Sequence, residues 1–294
     1  MALAACTAVE NPVQVPAPQA PDAEELLVFT ATCGNPDSRT QRDDEGKMYW
    51  SPGDKIHLWT GYNSSVALST DITSPARTVT FAGTANQTSG SFNDFVALYP
   101  YYKSNRCSYN SAEDDYEIKA YLNTMQKAVE GSFDTNLFVS VARSQTKELH
   151  FRNVCGGVKF SVSTPGIRKA VLTSPNMNLA GYMEIHVKPD DVEAAVYYNI
   201  PDYFWLNTNE VFLYFQGDGT FNPGSNYYFV TAPVVLDDGF ILRFYTDTHY
   251  AERVISKPVE IKMGHFLTVN NADSGLAWKA INGDLESTTD TPIE

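Results

Sequence analysis

The sequence predicts an all-β chain arranged as two consecutive β-sandwich units, on three observations. Its 294 residues suffice for roughly two domains of about 100 to 150 residues, each with a core of its own. Short runs of alternating apolar and polar residues recur from Leu26 to Val269, separated by Gly, Pro, Asn, Asp and Ser turns, the signature of stacked antiparallel sheets. No segment carries a convincing helical period.

Composition narrows the functional classes. Hydrophobic residues make up 43% and charged residues 19%, which describes a folded chain rather than a disordered one. The formal net charge of -14 is spread over short loops, so it favours solubility and argues against binding nucleic acid or an anionic membrane face through charge. There is no run of about eighteen apolar residues to make a transmembrane helix. Cys33, Cys107 and Cys155 lie in different elements with neither CxxC nor Cys/His spacing. They read as packed or unpaired thiols, a single disulfide being the other reading, and no metal is expected.

The chain opens with Met1-Ala-Leu-Ala-Ala-Cys6, and Leu3 to Cys6 has the form of a bacterial lipobox, in which small residues precede a cysteine that takes a diacylglycerol. Either the sequence begins at the end of a leader or the match is chance. Thr7 to Glu25, with Pro12, Pro16, Pro18 and Pro21, reads as an extended tether. Residues 1–25 are thus expected to be lipobox and tether, with Cys6 the lipidation site and the outer membrane the anchor.

The first sandwich is expected over 26–147. Leu27, Phe29 and Ala31 alternate in its opening strand, which Gly34-Asn35-Pro36-Asp37 ends. A polar loop from Ser38 to Gly46 carries Arg39 and Arg42. A Pro52-Gly53 turn then leads into Ile56 and Leu58, which face one way. Further strands are expected at Ser65 to Ser69, Thr78 to Gly83, Asp94 to Tyr101, Tyr116 to Leu122 and Asn136 to Arg143.

Leu149 to Val162, LHFRNVCGGVKFSV, reads as two strand pieces joined by a bend at Gly156-Gly157, and it is placed as the start of a second sandwich over 148–271. Strands follow at Arg168 to Thr173, Ala180 to Val187, Ala194 to Asn199, Asn209 to Gln216, Asn226 to Pro233, Gly239 to Thr246 and Arg253 to Val269. Residues 272–294 read as a polar, exposed tail.

Catalytic constellations are lacking: no GxSxG, HExxH, phosphate loop or zinc pair occurs. The carboxylate pairs Asp114-Asp115 and Asp190-Asp191, and the Asp237-Asp238-Gly239 turn, read as solvated turn residues. His57 and His265 read as structural histidines. No cofactor and no enzymatic activity is expected. The best small-ligand candidates are aromatic: Tyr99, Tyr101 and Tyr102, and the run Tyr197-Tyr198 with Tyr203, Phe204 and Trp205, whose rings could stack on sugars.

Several pieces occur together in order: FTAT at Phe29, WSPGDKIHLWT at Trp50, ALYPY at Ala97, the Gln126 to Phe133 stretch, LHFRNVCGGVKFSV, LAGYMEIHV at Leu179, YYFVTAPVVLDDGFILRFYT and VEIKMGHFLTVNN. This ordered set, with the lipobox, resembles the fimbrillin family of type V pili, the subunits and accessory lipoproteins of Bacteroidales fimbriae. The resemblance implies two tandem transthyretin-like β-sandwiches and a cell-surface fimbrial subunit or adhesin. Its partners would be other fimbrial subunits, joined by strand exchange, and a host or bacterial surface ligand. It also implies cleavage after an arginine near the first strand, for which Arg39 and Arg42 are the matching candidates. The alternative is a surface glycan-binding lipoprotein.

Overall fold

The computed structural model describes residues 24–33, 49–60, 65–86, 94–135, 137–189, 196–199, 208–215 and 217–281. Every regular element among them is a strand. In chain order they are β1 (Glu24–Cys33), β2 (Lys55–Thr60), β3 (Ser65–Ser69), β4 (Thr78–Asn86), β5 (Phe95–Tyr99), β6 (Arg106–Asn110), β7 (Asp115–Leu122), β8 (Met125–Val129), β9 (Ser132–Phe133), β10 (Ser140–Ser144) and β11 (Glu148–Asn153). The second half adds β12 (Gly156–Ser161), β13 (Lys169–Thr173), β14 (Gly181–Val187), β15 (Val196–Asn199), β16 (Glu210–Tyr214), β17 (Asn226–Thr231), β18 (Val234–Leu236), β19 (Phe240–Tyr245), β20 (His249–Ile255), β21 (Val259–Ile261), β22 (Phe266–Val269) and β23 (Lys279–Ala280).

The first unit closes on itself in the order β1-β11-β10-β5-β2-β3-β4. Closure covers the sheet edges wherever the strands are paired, which removes a template for unwanted pairing there. Alternation puts Leu27, Phe29, Ala31, Ile56, Leu58, Val79 and Phe81 inside. Trp50, fully buried, is their centre: its ring meets Phe81, Phe151 and Tyr99 edge-on at 5.0, 5.1 and 5.4 Å, the arrangement favoured by ring quadrupoles.

The remaining strands build a three-stranded sheet β17-β12-β22, a seven-stranded sheet β23-β20-β19-β13-β16-β8-β9, a four-stranded sheet β15-β14-β7-β6 and the ribbon β18-β21. Phe160 on β12 packs against Phe229, Phe221 and Phe244 at 5.1 to 5.7 Å, and these rings belong to the same continuous core cluster as Trp50.

The division at 147/148 does not separate these sheets. β11, placed by sequence in the second unit, closes the barrel instead, by pairing with β1 and β10. Residues of β6 to β9, placed in the first unit, pair with later strands: β7 with β14, and β8 with β16. Nearest-in-sequence pairing is the default, and here long-range register overrides it.

The passage from the barrel to the β17-β12-β22 sheet falls at Val154-Cys155, two residues before the expected bend. Gly156 and Gly157 lie inside β12, and their role is close approach. A Cβ on Gly157 would fall 1.9 Å from the Phe229 carbonyl oxygen, and one on Gly156 would fall 2.3 Å from that of Lys262. Only a residue without a side chain lets those backbones come so near.

The first part of the expected polar tail is held in place. Ala272 and Asp273 are buried; Asp273 accepts hydrogen bonds from the Ser163 and Thr164 amides at 2.6 and 2.7 Å and from the Ser163 hydroxyl at 3.0 Å. Beyond it, β23 pairs with β20.

Candidate functional site

Among the described strands β1 alone precedes Arg39 and Arg42 in sequence, and it also closes the barrel between β4 and β11. Against β4 it runs antiparallel from Glu24 opposite Asn86 to Thr32 opposite Thr78. Against β11 it runs parallel from Thr30 opposite Glu148 to Cys33 opposite Phe151. From Leu26 to Phe29 the ladder partner among the described strands is β4 alone. The inward residues Leu27, Phe29, Ala31 and Cys33 are all buried, while Leu26 and Val28 on the other face are 63% and 40% exposed.

The seam combines apolar burial with backbone pairing on both sides of β1. Phe29 sits opposite Phe81 in the register and meets the Phe95 ring edge-on at 4.9 Å. Leu27 and Phe29 together contribute roughly 3 to 6 kcal/mol of burial, and withdrawing β1 would also strip the β4 and β11 edges of backbone partners.

Of the aromatic candidates, Tyr99 is a core residue, 1% exposed. Its hydroxyl donates to Asp54 Oδ1 at 3.1 Å. Burial pushes the Asp54 carboxyl above its ordinary range, opposed by the Ser51 amide and Tyr99. Tyr99 faces no ligand: alternation along β5 fails as a guide because every position of that strand is buried. The Tyr101 ring packs at 4.1 Å on His57, whose other neighbour is Trp59 at 4.8 Å. His57 Nε2 hydrogen-bonds the Tyr102 carbonyl at 2.7 Å, and burial holds its pKa below the usual value; it is a structural histidine. Tyr102 is 45% exposed. Cys6, Arg39, Arg42, Tyr203 and Trp205 lie outside the described residues, as do the side chains of Tyr197 and Tyr198.

The acidic pair at the β6–β7 turn is more engaged than a solvated turn. Arg143 on β10 donates to Asp94 Oδ2 at 2.7 Å and to Asp114 Oδ1 at 2.6 Å, and also reaches the Val187 carbonyl. Its side chain is only 8% exposed, so one guanidinium ties the barrel to the four-stranded sheet. Asp115 binds His186 Nδ1 at 2.6 Å. Glu117, Glu184 and His186 bring ligand atoms within 4.8 Å of one another, but the Lys119 ammonium is already 3.1 Å from Glu117 and 3.9 Å from Glu184 and supplies the balancing positive charge.

No family model matches the chain, and no curated protein matches it. Among solved structures it is similar to a protein ascribed to cell adhesion from Bacteroides uniformis, at 14% identity and TM-score 0.48 over 87% of this chain and 96% of that one. A second, ascribed to the same role in Bacteroides ovatus, aligns at 10% identity and TM-score 0.49 over 88% and 97%. A tip fimbrial protein from Porphyromonas gingivalis aligns at 10% identity and TM-score 0.37 over 88% and 99%. These likenesses are distant, and the functional reading rests on the seam.

Cys33, Cys107 and Cys155 form no disulfide among the described residues. Burial pushes the Cys107 and Cys155 thiols up to about 12, which leaves them without nucleophilic thiolate at neutral pH. Sequence reading missed Arg143 and His186. A lone Arg within the β10 pattern, and a His alternating with apolar residues on β14, were the available signals.

Proposed function

We propose that the chain is a non-enzymatic cell-surface fimbrial subunit or accessory adhesin that assembles by strand exchange, tethered through Cys6 to the outer membrane. The observation that carries this reading is the place of β1: it precedes the Arg39/Arg42 loop and fills the seam between β4 and β11. Cleavage in that loop would cut the covalent link between β1 and the rest of the barrel. Release of the strand would expose the pocket of Leu27 and Phe29 together with two unpaired backbone edges, and a strand from a neighbouring subunit would satisfy both. The ordered resemblance to fimbrillins supports the same role.

The test is limited digestion of the purified chain with an arginine-specific protease, followed by size separation without boiling. Cutting at Arg39 or Arg42 and a ladder of oligomers is the expected result. Arg39→Gln/Arg42→Gln should abolish both. A loop that resists the protease while other arginines are cut would overturn the proposal.

A further inference from the structure

The outward face of the seven-stranded sheet carries an ordered row of side chains that the assembly role does not use. Cross-strand registers place Lys279 opposite Tyr250, Tyr250 opposite Tyr245, Tyr245 opposite Lys169, Lys169 opposite Tyr214 and Tyr214 opposite Lys127. Six consecutive strands thus contribute one residue each. At about 4.8 Å between strands the row spans roughly 24 Å. Their sequence neighbours Ala170, Leu213, Phe244 and Ala251 are buried on the other face, while the three tyrosines of the row are partly exposed and Lys127 and Lys279 are exposed.

The row is interleaved. The Lys169 ammonium lies 4.7 Å from the Tyr245 ring centroid and 5.8 Å from that of Phe212, and the Lys279 ammonium lies 5.8 Å from that of Tyr250. Tyr245 and Tyr250 stack on each other at 6.1 Å. Ring faces are therefore spent on their neighbours, which holds the ammonium groups in place without a carboxylate. Lys169 and Lys279 form no ion pair among the described residues; Lys127 is close enough to Asp134 to lower that carboxyl's pKa against the effect of burial. The adjacent row holds one cation between two carboxylates, Arg243 reaching Glu252 at 2.5 Å and Glu210 at 3.4 Å, and those carboxylates are engaged by it.

We propose that this face binds a linear anionic polysaccharide, whose acidic groups meet Lys279, Lys169 and Lys127 and whose hydroxyls meet the intervening phenols. Charge complementarity commits the site to an anion, since the row itself contains three cations and no carboxylate. The spacing selects the polymer. Successive lysines stand three and two strands apart, roughly 10 to 15 Å, a spacing far wider than the charge every 1.7 Å or so along duplex nucleic acid. The proposal does not rest on strand exchange: the row is far in sequence from β1, and the uncleaved protein should bind.

Affinity electrophoresis of the full chain through gels containing hyaluronan, a linear polysaccharide with a carboxylate on alternate rings, tests this against dextran as the neutral polymer. Retardation by hyaluronan alone is expected. Lys169→Gln/Lys279→Gln should weaken it about tenfold, the loss of charge-assisted contacts, with an unchanged melting temperature, and Lys169→Arg should retain it. Tyr245→Phe/Tyr250→Phe, which keeps both rings, should weaken it by a smaller factor. Equal retardation by dextran, equally tight binding of single-stranded DNA, a Gln variant that folds and binds as the parent does, or self-association through this face as the property that the variants lose would each overturn the proposal.

Discussion

The side-chain amide of Gln126 pairs with both backbone groups of Val230. Its Oε1 accepts from the Val230 amide at 2.9 Å and its Nε2 donates to the Val230 carbonyl at 2.6 Å. Gln126 is fully buried and acts as one rung of a strand, joining β8 to β17 where no strand-to-strand ladder does so. Gln126→Leu would leave two buried backbone groups unpaired, at a cost of about 2 to 4 kcal/mol. Urea unfolding should show that loss, while Gln126→Glu should lose less at acidic pH, where a protonated carboxyl can still donate.

Gly157→Ala should be among the most damaging single-methyl additions in the chain. Its Cβ would overlap the Phe229 carbonyl oxygen, so β12 and β17 must part. Overpacking of this kind costs about 1 to 3 kcal/mol, and the backbone contact puts this site at the upper end. A melting temperature within a degree of the parent would show that the two strands are not so closely apposed.

Replacing Arg143 with leucine removes the partner of Asp94 and Asp114 and unlinks the barrel from β14. Loss of one member of a buried ion pair costs about 3 to 5 kcal/mol, and the partial exposure of both carboxylates places this case near the lower bound. Arg143→Lys should recover only part, because a compact ammonium lacks the planar fork whose separate nitrogens reach Asp94, Asp114 and the Val187 carbonyl.

His186 gives the fold a pH signature. Partial burial disfavours its charge, but the hydrogen bond and charge of Asp115, then those of Glu184, outweigh this and raise its pKa above 6.5. A raised folded pKa contributes stability that is fully present below the unfolded value and is lost as pH rises through the folded one. The unfolding free energy that separates the parent from His186→Gln should therefore be larger near pH 5.5 than near pH 8.5. A difference that stays flat, or grows with pH, would show that the histidine is not held as a cation.

The all-β architecture was legible because alternation survives wherever one face of a strand is buried, as in β14, where Gly181, Met183, Ile185 and Val187 alternate with half-buried residues. Strand partners were not, because β7 and β14, or β1 and β11, share no local signal of their pairing. β6 escaped notice because neither face of Arg106 to Asn110 is fully buried, so no strong alternation is imposed on it. Tyr99 was misread because a hydroxyl that reaches a buried Asp54 lets a tyrosine sit in the core. The Lys/Tyr row was illegible for the same reason as the pairing: its six members come from six separate strands.

Native mass spectrometry of the chain after cleavage by an arginine-specific protease tests the central claim most directly. If β1 is a replaceable strand, the cleaved barrel loses its N-terminal peptide and appears in complexes that contain an additional subunit. A cleaved chain that keeps the peptide and remains a monomer would contradict the account.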